Sequence, residues 1–135
     1  MPIYGRGRKL YYNPSDCFDA WLEQGTLKKA AQYLYDNGKK SKRGGIPPMI
    51  SVQKSSKLYV TLYPEDARDK LVKNGYLYLL DPAEWTGFQI RAAASAYGKG
   101  SVRFKNWLVY NKLWEIAVDM KLAKPQFDER KPIIR

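Results

Sequence analysis

Arg103, Lys105 and Asn106 lie within four residues of one another in "IRAAASAYGKGSVRFKNWLVYN", Ile90 to Asn111, and Ser101 stands just ahead of them. Guanidinium and ammonium groups bind phosphates or the acceptor edge of guanine, and a carboxamide can pair with adenine. The set suits a polyanion that also displays base edges. Phe104, Trp107 and Leu108 are interleaved with it. That spacing predicts a helix that buries one side and presents the other.

A second group is purely cationic. "KKSKRGG", Lys39 to Gly45, holds Lys39, Lys40, Lys42 and Arg43 with no acid among them. It is turn-rich, reads as a loop, and could grip phosphates. Just after it, a helix would turn Ser51, Gln53, Lys54 and Lys57 outward. At the front of the chain Arg6 and Arg8 sit between glycines, in an arm of the kind that enters a minor groove. The plain alternative in each case is a solvated charged surface.

Other chemistries are poorly supplied. The chain has no histidine and one cysteine, which excludes His-based acid–base catalysis, His metal sites and Cys-rich zinc sites. "YGKGS" has too few elements for a phosphate loop. Glu65, Asp66 and Asp69 read as favourable charge at a helix start rather than as metal ligands. The expectation is a protein that is not an enzyme and needs no cofactor.

The global balance points the same way. Among 135 residues, 24 are Lys or Arg and 13 are Asp or Glu, a net of +11. Residues 1–60 carry +7 of this and residues 61–135 carry +4. Such a field attracts polyanions. An apolar fraction of 44% is enough for a core. No run approaches the ~18 consecutive apolar residues of a membrane helix, and the first residues lack a secretory signal. An intracellular, cytoplasmic protein without membrane contact is expected.

The elements that must position these groups are helical. Residues 1–12 read as a flexible basic arm. Asn13 and Pro14 open a helix with Cys17, Phe18, Trp21 and Leu22 on one face, and Gly25 ends it. Thr26 starts a second, with Leu27, Ala30, Ala31 and Leu34 as its stripe and Asn37–Gly38 as its stop. Met49–Tyr63 fits a helix or a strand; its neighbours favour a helix. Pro64 opens another helix, closed by Gly75. "YLYLL" is a short apolar connector. Asp81–Pro82 begin a helix around Trp85 and Phe88, or two pieces broken at Gly87. Ser101 then caps a long helix to about Leu122, and residues 125–135 form an extended tail. The fold class is all-α, a compact bundle of five to seven helices over residues 13–124, with candidate halves 13–75 and 81–124.

Ala94, four residues before Gly98, with Phe104 and Trp107 six and nine after it, resembles the helix-turn-helix pattern of phage and bacterial DNA-binding proteins. Lys99 stands where that family usually has an apolar residue, and Gly100 is unusual there. "LKKAAQYLYDNG" is similar to alanine-rich helices of small phage DNA-binding proteins, including terminase small subunits, which commonly form rings. The resemblance implies a viral or mobile-element protein that binds double-stranded DNA, with room for a homo-oligomer. Two alternatives stand beside it: an interaction adaptor or inhibitor with a basic face, and a single-stranded DNA or RNA binder that stacks bases on tyrosine and tryptophan.

Overall fold

A computed structural model of the chain describes residues 12–125. These form seven α-helices and one 3-10 turn, so the chain is all-α. The helices are α1 (Pro14–Gln24), α2 (Leu27–Asp36), α3 (Met49–Leu62), α4 (Pro64–Lys73), α5 (Pro82–Tyr97), α6 (Val102–Tyr110) and α7 (Trp114–Asp119). The 3-10 turn is Leu77–Leu80. The arm residues Arg6 and Arg8, and the tail beyond residue 125, lie outside the described residues. Among the described residues no helix is long and apolar enough to cross a membrane.

Two compact units divide the chain, Met1–Tyr63 and Pro64–Arg135. Arg68 ties α4 into the second unit. Its Nε donates to the Leu79 carbonyl and its Nη2 to the Leu80 carbonyl, both at 2.9 Å. The guanidinium lies 5.7 Å from the Trp85 ring centroid. The "YLYLL" segment is thus a clamped 3-10 turn, with Leu79 buried as its anchor.

In the first unit α1 packs on both α2 and α3. The Asn13 side chain accepts from the Ser15 and Asp16 amides, which starts α1. Gly25, at φ +86, ends it in a conformation that other residues adopt only with strain. The Thr26 hydroxyl caps α2. Cys17, Ala20, Ala30, Ala31, Leu34 and Val52 form the core, with Trp21 and Leu27 against it. Of the face predicted for α1, Cys17 and Phe18 are buried, while Trp21 and Leu22 are half-buried. Burial pushes the Cys17 thiol up to about 12, so it stays protonated and unreactive at neutral pH.

α3 is helical despite its strand-forming residues. Ser56 donates to the Val52 carbonyl at 2.8 Å and Thr61 to the Lys57 carbonyl at 2.9 Å. Buried hydroxyls are thereby satisfied within the helix itself. Phe18 and Tyr59 pack with ring centroids 4.9 Å apart.

In the second unit α5 is one continuous helix through Gly87. Trp85 and Phe88 stack across that position at 5.5 Å, and Gly87 does not break the helix. Asp81 caps its start by accepting from the Ala83 amide. The long helix expected from Ser101 to Leu122 is corrected to two short ones. α6 stops because Lys112 takes φ +58, which lets the Leu113 amide reach the Leu108 carbonyl and the Lys112 amide reach that of Val109. α7 ends in the same way. Lys121 takes φ +64, the Leu122 amide bonds the Ala117 carbonyl, and the Lys121 amide bonds that of Val118. These are Schellman stops built on lysine, although glycine is the usual residue. A left-handed non-glycine residue costs roughly 1–2 kcal/mol, partly offset by the freedom glycine has in the unfolded chain. Lys112→Gly should therefore raise stability by about 0.5–1 kcal/mol in denaturant melts. A loss of stability would show that the lysine side chain is held by contacts that outweigh its strain.

Candidate nucleic-acid interface

α5 ends at Tyr97, and Gly98, at φ +99, turns the chain. The Ser101 amide bonds the Gly98 carbonyl, closing a four-residue turn. The Ser101 hydroxyl then accepts from the Phe104 amide at 3.1 Å and caps α6. Lys99 and Gly100 are exposed, so the two departures from the expected pattern sit at the tip of the turn and not in the core.

Phe104 and Leu108 anchor α6. Both are fully buried, in a core with Ile90, Ala93 and Ala117. Ala94, Tyr97 and Trp107 pack against that core from partly buried positions. Trp107, predicted as an anchor, is half-buried and stacks on Phe104 at 6.4 Å. α7 and the residues after it close the remaining side, with Trp114 donating through Nε1 to the Lys124 carbonyl at 2.9 Å.

The outward face of α6 carries the predicted groups. Arg103, Lys105 and Asn106 are exposed, and Ser101 is half-buried by its capping role. Arg103 also has a local partner: its guanidinium lies 5.9 Å from the Tyr97 ring centroid. Burial raises the Tyr97 pKa, and the neighbouring Arg103 charge opposes that rise. Sequence reasoning missed three further exposed residues of this helix, Val102, Val109 and Tyr110. Their apolar character resembles core, but their positions lie off the stripe of Phe104 and Leu108. No acidic residue occurs in α6.

In the first unit the basic segment is a compact turn. The Gly44 amide bonds the Ser41 carbonyl at 2.9 Å, which makes Lys42 and Arg43 the two central residues of a β-turn. The Ser41 amide donates to the Gly45 carbonyl, and the Ser41 hydroxyl accepts from the Gly45 amide. All four cations of the segment are exposed. Lys39 forms a 3.2 Å ion pair with Asp16, and Lys40 lies 5.8 Å from the Tyr35 ring centroid. Among the described residues Lys42 and Arg43 enter no ion pair.

On α3, Lys54 is exposed, and Ser51, Gln53 and Lys57 are half-buried. Lys57 lies over the Trp21 ring at 5.5 Å. From Ser55 to Thr61 every residue except Lys57 is buried, so this part of α3 presents no continuous outer face. The segment between α2 and α3 joins two helices that pack on each other.

Among the described residues no group of three or more His, Cys, Asp or Glu side chains could hold a metal ion. Comparisons of the chain with protein-family models, with curated proteins and with solved structures return no match.

Proposed function

We propose that this chain is a non-enzymatic protein that binds duplex DNA. α5, the Gly98 turn and α6 act as a helix-turn-helix element, and the turn at Lys42–Arg43 grips phosphates. The single observation that carries the reading is α6 itself. Two buried anchors fix one side of it, and the rest of its surface exposes Asn106 with Arg103 and Lys105 on its flanks and no acid on the helix. A cationic helix held in this way can enter a major groove without disturbing the core. The net charge of +11 supports the same partner.

The exposed "YLYLL" turn favours a second reading, a protein-interaction module. Tyr76, Leu77, Tyr78 and Leu80 are all exposed, on backbone that Arg68 holds in place. Contiguous exposed apolar residues of this kind commonly mark protein contacts.

Salt titration decides between the two. If Lys42, Arg43, Lys54, Arg103 and Lys105 each neutralise a phosphate, log K should fall with log salt at a slope of about −4 to −5 on a duplex of 20–30 base pairs. Single-stranded DNA and RNA of the same length, titrated in parallel, should bind more weakly. Failure to bind duplex at 50 mM salt would leave the protein-interaction reading.

A further inference from the structure

The outermost stripe of α6 carries no charge. At 100° per residue, Asn106 lies opposite the buried pair Phe104 and Leu108, with Val102 and Tyr110 about 40° to either side of it. Val109 and then Lys105 lie on one flank of that stripe, and Arg103 lies on the other. Val102 is 70% exposed and Tyr110 is 85% exposed. A helix serving only as a phosphate clamp would carry its cations along the leading stripe. Here the leading stripe reads apolar, amide, aromatic.

This order matches one base pair and not the other. In the major groove an A·T pair presents the thymine 5-methyl group beside the N6 and N7 atoms of adenine. A valine packs on the methyl and an asparagine pairs with the adenine edge. G·C has no methyl, and its usual reader is an arginine aimed at O6 and N7. Arg103, the one arginine of α6, leans back over Tyr97 at 5.9 Å. Its position on the flank suits a groove wall, where phosphates lie.

Resting on the duplex-DNA reading, we infer that α6 selects A·T pairs, with Val102 packed on a thymine methyl and Asn106 bonded to an adenine edge. The two side chains are one turn apart, with Cβ atoms ~5–6 Å from each other, which spans one base pair or its neighbour. Val102 is the first residue of α6, directly after the cap, and the start of a recognition helix is the part that reaches base edges.

Thymine and uracil differ only by that methyl group, which makes the inference testable without knowing a target sequence. Binding of the full chain is measured on alternating poly(dA-dT), poly(dA-dU), poly(dG-dC) and 5-methylcytosine-substituted poly(dG-dC) duplexes at one salt concentration. Poly(dA-dT) should bind about four-fold more tightly than poly(dA-dU) for each methyl contacted. Val102→Ala should bring that ratio close to one while the salt slope stays the same. Asn106→Ala should lose the preference for A·T over G·C yet keep the thymine–uracil ratio. Because Val102 is exposed, melts of Val102→Ala should match the parent chain. Equal affinity for the thymine and uracil duplexes, or a ratio that survives Val102→Ala, overturns the inference and leaves duplex binding intact. A preference for methylated poly(dG-dC) over both A·T polymers also overturns it, since adenine would then have no part in recognition. If no duplex binds, the underlying reading fails too, and the exposed valines belong to a protein contact.

Discussion

Phe104→Ala should destabilise the second unit by roughly 3–5 kcal/mol. The ring is 1% exposed and touches a core built from α5, α6 and α7. α6 spans only nine residues, too few to be helical on its own in water, so it depends on its two buried anchors. Removing the larger anchor leaves a cavity beside Leu108 and takes away the stacking partner of Trp107. Small domains are stable by only about 5–15 kcal/mol, so a loss of this size should show as early melting of the second unit in circular dichroism and tryptophan fluorescence. Trp107→Ala should cost less, because that ring is half-buried. Arg103→Ala should lower stability by no more than about 0.5–1 kcal/mol, the value of an exposed cation–π contact with Tyr97. Its effect belongs in binding. The opposite pattern, with Arg103→Ala unfolding the unit and Phe104→Ala silent, would mean that the inner and outer faces of α6 are exchanged.

The choice of Phe104 over Trp107 marks a boundary in what a sequence can tell. Helical spacing places Phe104, Trp107 and Leu108 on one side of α6, and it cannot rank them. Only the position of α7 decides which is enclosed, and Ala117 of α7 meets Phe104 and Leu108 in the core. Helix starts are easier to read. Asn13, Thr26, Asp81 and Ser101 each cap with a side-chain oxygen, a local interaction written in a few residues. Helix ends are readable where glycine takes the left-handed position, as at Gly25, Gly38 and Gly75. They are not readable at Lys112 and Lys121, because lysine gives no signal for that conformation. Tyr63 and Pro64 join the units with no loop between α3 and α4, while the linker-like "YLYLL" is clamped by two hydrogen bonds from Arg68. On the candidate interface, the charged residues of α6 and the basic turn are legible from type and spacing. Burial of the polar residues Ser55, Ser56 and Thr61 in α3 is not legible from their type. Nor is the exposure of the valines of α6.

Replacing Lys39, Lys40, Lys42 and Arg43 together by Ser should weaken duplex binding strongly while leaving the fold in place. The turn is closed by backbone bonds and by Ser41 and Gly44, none of which is changed. The lost Lys39–Asp16 pair is exposed at both ends, and such pairs contribute ~0–1 kcal/mol. The number of phosphates the turn engages is set by how many of its cations can leave their local partners. If all four do so, the variant loses a contribution that falls roughly 150-fold between 50 and 200 mM salt. With Lys39 held by Asp16 and Lys40 by Tyr35, only Lys42 and Arg43 contribute, and the corresponding figure is about 12-fold. The β-turn geometry favours the smaller value, because it places just those two residues at the tip. The double variant Lys42→Ser/Arg43→Ser should then account for nearly all of the quadruple variant's loss, with a change in log–log slope of about 2 units. A quadruple variant with a slope near 4 units shallower would show that DNA competes successfully with Asp16 and Tyr35. An unchanged slope would assign the basic turn to solvent and leave α6 to carry the binding alone.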